Sequence, residues 1–284
     1  MSDTTSASGH DVVDAATWRA ARLAHLEEEK AFTRARDALS ETRRSLPWVE
    51  VTEPYRFDSI DGPASLVELF DGCNQLLVYH FMMGPDWDEG CPSCSFWADN
   101  YNGTQIHLAH RDTALVAISR APVTDIEAYK ARMGWSFRWV SSLDSSFNYD
   151  MGVSFTPDQL ATGEANYNYD TIFFEGEEAP GISAFRREGN RVYLTYQTFS
   201  RGLDMANGAY HMLDLTAAGR RVDELARLAG ELGDHLRTPA DLLSADPGDP
   251  DDEVWAKRRE QATALAAYAE RKRQIGMVDY ADLI

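Results

Sequence analysis

The chain has 284 residues, 44% of them hydrophobic and 26% charged, a globular composition long enough for one large domain or two modest ones. A formal net charge of −19 argues against a phosphate-binding surface and an anionic membrane, so neither nucleic acid nor membrane is expected as a partner. Three cysteines (Cys73, Cys91, Cys94) are too few for a secreted disulfide scaffold, and no apolar run has the length of a membrane span, so a cytoplasmic protein is expected.

Residues 1–17 are rich in Ser, Thr, Asp and Ala, without the cationic start or apolar stretch of a signal peptide, and read as a disordered tail. From Trp18 to Ser45, Leu23, Leu26, Phe32 and Leu39 alternate with Glu and Arg at helical spacing, and Pro47 ends the helix. Residues 48–51 and 55–57 are short strand candidates, and Ser65 is placed to cap a short helix through Phe70. The near-continuous apolar run over 75–83 has the pattern of a strand buried on both faces. A loop over 84–90 follows, and Pro92 suits the first position of a helix whose N-cap is Cys91. That helix is expected to reach about Tyr101, or to continue through His110 after a break at Asn102-Gly103.

Thr113 to Ser119 is a second buried strand, Thr124 caps a helix over 125–132, and 136–141 is a third strand. This alternation predicts an α/β fold on parallel strands, completed by a hairpin over 182–186 and 191–198 and a closing helix over 205–213. The aromatic, acidic stretch 142–180 reads as loop. Its residues, with Trp135, Phe137 and Trp139, are expected in the core, a pocket wall being the alternative. Together these make a three-layer domain over 18–220. From 221 the composition shifts to Ala/Leu/Arg/Asp helices broken by the acidic Pro/Gly tract 246–253, which places a boundary near 221 and a helical tail over 221–284.

The chemistry concentrates in Gly90-Cys91-Pro92-Ser93-Cys94. Two thiols three residues apart on a helix's first turn lie within reach of one disulfide. Cys91 at the helix N-terminus faces free N–H groups and the positive end of the dipole, worth about 0.3–1 kcal/mol to a thiolate, so Cys91 is assigned as nucleophile and Cys94 as resolver. Asp86, Asp88, Glu89 and Asp99, if close, would raise the Cys91 pKa and bias the couple towards a reductant.

A competing reading is zinc binding by Cys91, Cys94, His107 and His110, although the histidines are one residue closer than zinc-finger spacing prefers. His80 is read as a core histidine, with reach to the cysteine pair as the alternative, and Cys73 as a thiol without a role. Thiol–disulfide exchange requires no metal or organic cofactor, and its partners would be protein or small-molecule disulfides or thiols.

The stretches Ser45 to Val49, Tyr79 to Trp87, Gly90 to Asn100, His107 to Asp112, Ser119 to Pro122, Met133 to Trp135 and Ser200 to Asp204 occur in an order that resembles one bacterial family. It is a thioredoxin-like family of inferred dithiol–disulfide oxidoreductases, itself catalogued as a domain of unknown function, and the resemblance spans about residues 18–220. It implies a thioredoxin-like three-layer fold with a central mixed sheet, an N-terminal helix and a helical tail, with Cys91 and Cys94 as the redox pair. Trp87, ahead of that pair, and Pro92, within it, are the supporting residues. Pro180 is the implied equivalent of the cis-proline that faces the pair in such folds. Gly90 stands where thioredoxins carry a tryptophan, and Pro-Ser replaces their Gly-Pro. The tail, through 236–243, 268–273 and 278–284, resembles a fragment of a UvrD/Rep-type DNA helicase without its phosphate-binding loop, so no ATPase activity is expected of it. A redox-silent thioredoxin-fold interaction module is the remaining alternative.

Overall fold

A computed structural model describes residues 6, 7 and 10–220. The helical, helicase-like tail expected over 221–284 lies outside the described residues. The chain forms two compact units, divided between Val49 and Glu50.

The first unit is dominated by helix α1 (Ala15–Arg44), which begins three residues ahead of Trp18. The earlier start has a local cause: Asp14 is the N-cap, and its carboxylate accepts from the Thr17 backbone N–H at 2.8 Å. The tail read over 1–17 is therefore helical in its last residues, and Ser6–Ala7 pairs with His10–Asp11. Arg43 and Arg44 complement the negative end of the helix, which ends at Ser45 before Pro47. No residue of α1 is buried.

The second unit is built on a sheet of six strands: β1 (Val49–Val51), β2 (Gln75–His80), β3 (Thr113–Ser119), β4 (Arg138–Ser141), β5 (Gly181–Glu188) and β6 (Arg191–Phe199). Their order is β1-β6-β5-β2-β3-β4. β2, β3 and β4 are parallel, whereas β5 runs antiparallel to both β2 and β6. Helices α2 (Pro92–Ala98) and α3 (Thr104–Ala109) connect β2 to β3, and α4 (Val123–Met133) connects β3 to β4. A parallel βαβαβ run with an antiparallel hairpin beside its first strand is the thioredoxin-like arrangement, and the mixed sheet agrees with the expected fold class.

The alternation of β2 explains its apolar run. Leu76 and Val78 enter one core with Phe57, Phe70 and Phe185, while Tyr79, with Phe81 beyond it, enters a second core with Cys91, Cys94 and Trp139. The aromatic stretch divides between the two: Trp135 and Phe137 join the cysteine core, and Phe147, Phe155 and Tyr167 the other. Tyr169 and Phe173 stay exposed. The stretch 142–180 also forms two short helices, α5 (Phe147–Asp150) and α6 (Pro157–Thr162), the second held by a Thr156–Gln159 capping box.

Two expected caps differ. α4 starts at Val123 with Pro122 as its N-cap, which has no side-chain acceptor, so Thr124 lies inside the first turn with its hydroxyl 3.2 Å from the Asp125 carboxylate. The closing helix is split into a 3-10 segment, Ser200–Ala206, and α7 (Gly208–Leu213), since Asn207 interrupts the chain and accepts from the Tyr210 N–H at 3.1 Å. Among the described residues, no helix is long and apolar enough to cross a membrane.

Candidate redox site

The chain leaves β2 through Phe81–Met83 and returns at once: the Cys91 N–H donates to the Met82 carbonyl at 2.9 Å. The intervening loop closes tightly on its own aromatics. A Cβ on Gly90 would lie 2.6 Å from Phe81 Cε1 and 2.9 Å from Tyr129 Cε1, and one on Gly84 would lie 2.8 Å from Trp87 Nε1. Glycine precedes Cys91 because two rings occupy the space a side chain would need. Trp87, half-buried, covers the start of the loop.

Cys91 is the N-cap of α2 and Pro92 its first residue, the placement expected from the sequence. Ser95 fixes this end of the helix, its hydroxyl lying 3.0 Å from the Cys91 carbonyl and 2.9 Å from the Tyr129 hydroxyl. Both cysteines are buried, Cys91 6% exposed and Cys94 2%. Tyr79 donates to the Cys94 carbonyl at 3.2 Å, and the Met82 N–H approaches the Cys94 sulfur at 3.5 Å.

The two thiols are electrostatically unlike. The Cys94 thiol donates to Cys91 and, with the first-turn N–H groups of Cys94 and Ser93, lowers the Cys91 pKa to about 7 against the opposing effect of burial. Burial, and then the Cys91 sulfur itself, push Cys94 well above the ordinary thiol range. The expectation that nearby acids raise the Cys91 pKa is overturned. Asp86 and Asp88 are exposed, Glu89 pairs with Arg132, and Asp99 accepts from Trp135 Nε1 at 2.8 Å. None of the four is among the causes of the Cys91 shift.

The zinc set does not assemble. His107 on α3 and His110 at its end are exposed while the cysteines are buried, and among the described residues no three His, Cys, Asp or Glu side chains form a ligand group. His80 lies on the opposite face of the sheet from the cysteines, its Nε2 2.7 Å from the Ser183 hydroxyl and its ring beside Phe147. It is the core histidine of the two readings. Cys73 is half-buried against the core on that same face.

Pro180, at the start of β5, faces Cys94 across a cavity of about 330 Å³ that is also lined by Tyr79, Trp97, Leu203 and Tyr210. Its peptide bond is trans, for no cis peptide occurs among the described residues. The implied cis-proline is therefore corrected: the bond is trans, the ordinary state of an X–Pro bond. The Tyr167 hydroxyl donates to the Pro180 carbonyl and accepts from the Ser200 N–H at 2.9 Å, which ties two walls of the cavity together.

One polar cluster near this end escaped the sequence reading. Arg120, directly after β3, pairs at 2.7 Å with Glu178, which is 1% exposed and also accepts from the Ser154 hydroxyl at 2.7 Å. Glu178 lies two residues before Pro180, so this buried pair anchors the approach to the cavity wall. An arginine at the C-terminal end of a buried parallel strand was the available signal.

A family model described as a bacterial protein of unknown function (DUF899) matches residues 7–240. The chain belongs to this family. The match extends past both ends of the 18–220 span over which the resemblance was read. No curated protein matches this DUF899 chain. Among solved structures it is similar to a mutant of peroxiredoxin Q from Xanthomonas campestris, at 13% identity and a TM-score of 0.40 over 58% of this chain and 97% of that one. Peroxidoxin BcpB from Mycobacterium tuberculosis gives 12% identity and a TM-score of 0.39, over 58% of this chain and 96% of the other. A hypothetical protein from Sinorhizobium meliloti 1021 gives 16% and 0.37, over 68% and 86%. The fold assignment of this DUF899 member rests on its own strand order and connectivity.

Proposed function

We propose that this DUF899 protein is a dithiol–disulfide oxidoreductase in which Cys91 attacks and Cys94 resolves. The observation that carries the reading is the hydrogen-bonded pair on the first turn of α2, with one thiol acidified by the other. The Cys91 thiolate attacks a disulfide sulfur, forms a mixed disulfide and expels a thiolate that takes up a proton. Cys94 then gives up its proton and attacks the Cys91 sulfur, which releases the second thiol and leaves a Cys91–Cys94 disulfide. Two electrons pass from the protein to the substrate, and an external thiol reverses the sequence.

The pH dependence of alkylation, read at each cysteine by mass spectrometry, tests the roles. Cys91 is modified first, with a midpoint near 7. Cys94→Ala removes the principal stabilising hydrogen bond and moves that midpoint up towards the ordinary thiol value of about 8.5. Preferential modification of Cys94, or an unmoved midpoint in Cys94→Ala, contradicts the assignment.

A further inference from the structure

We infer that Tyr79 serves the resolving step: once Cys91 is held in a mixed disulfide, the Tyr79 hydroxyl turns from the Cys94 carbonyl to the Cys94 sulfur and stabilises the thiolate that attacks. The inference rests on the oxidoreductase reading and deepens it by naming the residue that eases its second step.

The need comes from burial. Cys94 is 2% exposed, so its thiolate forms without the water that stabilises one on a surface. In the resting pair the Cys91 sulfur adds to that cost. In the mixed disulfide Cys91 carries no charge, and burial is what still opposes ionisation. Hydrogen bonds to the charged sulfur offset it, and such bonds are about twice as strong as those between neutral groups.

Two donors stand beside Cys94. The Met82 N–H approaches its sulfur at 3.5 Å, and the Tyr79 hydroxyl donates to its carbonyl at 3.2 Å. Hydrogen bonding to either one favours the charged form of Cys94. Tyr79 is 1% exposed, and its ring stands edge-on to Phe81 and Tyr101 with centroids 6.0 and 5.0 Å away. The ring is therefore fixed, and its hydroxyl proton passes from carbonyl to sulfur by rotation about the C–O bond.

Among the described residues, the other titratable groups around Cys94 offer it no donor. Tyr167 directs its proton to the Pro180 carbonyl. The buried Tyr101 hydroxyl has no hydrogen-bond partner, so it does not bond to Cys94. Arg201, Asp204 and Arg220 line the cavity beside Cys94, but they pair with one another and are not among the causes of its shift. Cys91 is bonded to substrate at this stage.

The step balances. The Cys94 thiolate attacks the Cys91 sulfur, the Cys91–Cys94 bond forms as the bond from Cys91 to substrate breaks, and the proton lost by Cys94 ends on the departing thiolate. Tyr79 keeps its own proton, since burial pushes its pKa well above the ordinary phenol value.

The test uses the full chain carrying Cys73→Ala and 5,5′-dithiobis(2-nitrobenzoate), which releases one coloured thiolate as Cys91 attacks and a second as Cys94 resolves. Stopped-flow absorbance separates the two phases. Tyr79→Phe is expected to leave the first phase unchanged, because Tyr79 is not among the causes of the Cys91 shift. It is expected to slow the second about threefold near neutral pH. A Cys94 pKa raised by about one unit cuts the thiolate fraction about tenfold, and the greater nucleophilicity of the less stabilised thiolate recovers about threefold. Tyr101→Phe, which removes an unpartnered hydroxyl from the same cluster, is expected to leave both phases as they are. In Cys91→Ala, the alkylation midpoint of Cys94, read by mass spectrometry, is expected to rise by about one pH unit when Tyr79→Phe is added. A second phase of native rate in Tyr79→Phe, equal slowing of both phases, equal slowing in Tyr101→Phe, or an unmoved Cys94 midpoint overturns the inference and leaves the oxidoreductase reading standing. A chain with Tyr79 intact that releases no second thiolate and forms no Cys91–Cys94 disulfide overturns both.

Discussion

His80 ends β2 and is 1% exposed, with Nε2 on Ser183 and no hydrogen-bond partner for Nδ1. Burial holds its pKa at about 3, below the unfolded value of 6.5, so the fold accepts only the neutral ring. A depressed pKa on a base means that its contribution is complete above the unfolded value and is lost as pH falls from there towards the folded one. Between about pH 7.5 and about pH 4.5 that loss is on the order of 2–3 kcal/mol. Urea denaturation of His80→Gln is expected to show a pH-dependent loss smaller than that of the native chain by this amount, and equal losses contradict the account. The roles of single residues were only partly legible in the sequence. Pro92 as first helical residue and Cys91 as N-cap follow from local backbone rules, and both hold. The charge environment of Cys91 does not follow from sequence distance, because Glu89 turns to Arg132 and Asp99 to Trp135. The Cys94 thiol supplies the stabilisation instead.

At the level of elements, the loop from Gly84 to Gly90 holds the geometry of the pair. Gly90 has no room for a side chain, since its Cβ would fall 2.6 and 2.9 Å from Phe81 ring carbons and 2.9 Å from Tyr129. Gly90→Ala is expected to cost about 1–3 kcal/mol, seen as a lowered urea midpoint with an unchanged slope, because neither ring can retreat within the aromatic cluster of Phe81, Tyr129, Trp135 and Trp139. A midpoint equal to that of the native chain would show that the loop yields freely. The absent tryptophan is thus a packing consequence that the sequence exhibited without its cause. Long periodic elements were legible, with α1, β3 and the β5–β6 hairpin found within a few residues of their expected bounds. Two helix starts were not, as Pro122 in the cap position expected of Thr124, and Asn207 capping a separate last helix, show. Nor were the short helices of 142–180, which are held by packing and a capping box and lack a periodic face.

Across the whole molecule, a two-sided sheet separates two tasks. One core, around Phe57, Phe147 and Phe185, stabilises the fold and holds His80 neutral; the other carries the thiols, and the cavity opens beside Cys94. The alternation of strands and helices revealed the parallel half of the sheet, and the Gly189-Asn190 turn its hairpin. The cavity was beyond sequence reading, because it joins Tyr79, Trp97, Pro180 and Leu203 from four separate segments. Cys73 belongs to the first core, so any disulfide of this chain should form between Cys91 and Cys94 alone. A redox titration of the full chain in glutathione buffers, with alkylation trapping and mass spectrometry at each cysteine, tests this directly. The account predicts one reversible two-electron transition confined to Cys91 and Cys94, with Cys73 reduced throughout. Absence of a Cys91–Cys94 disulfide at every poise, or its formation through Cys73, contradicts it.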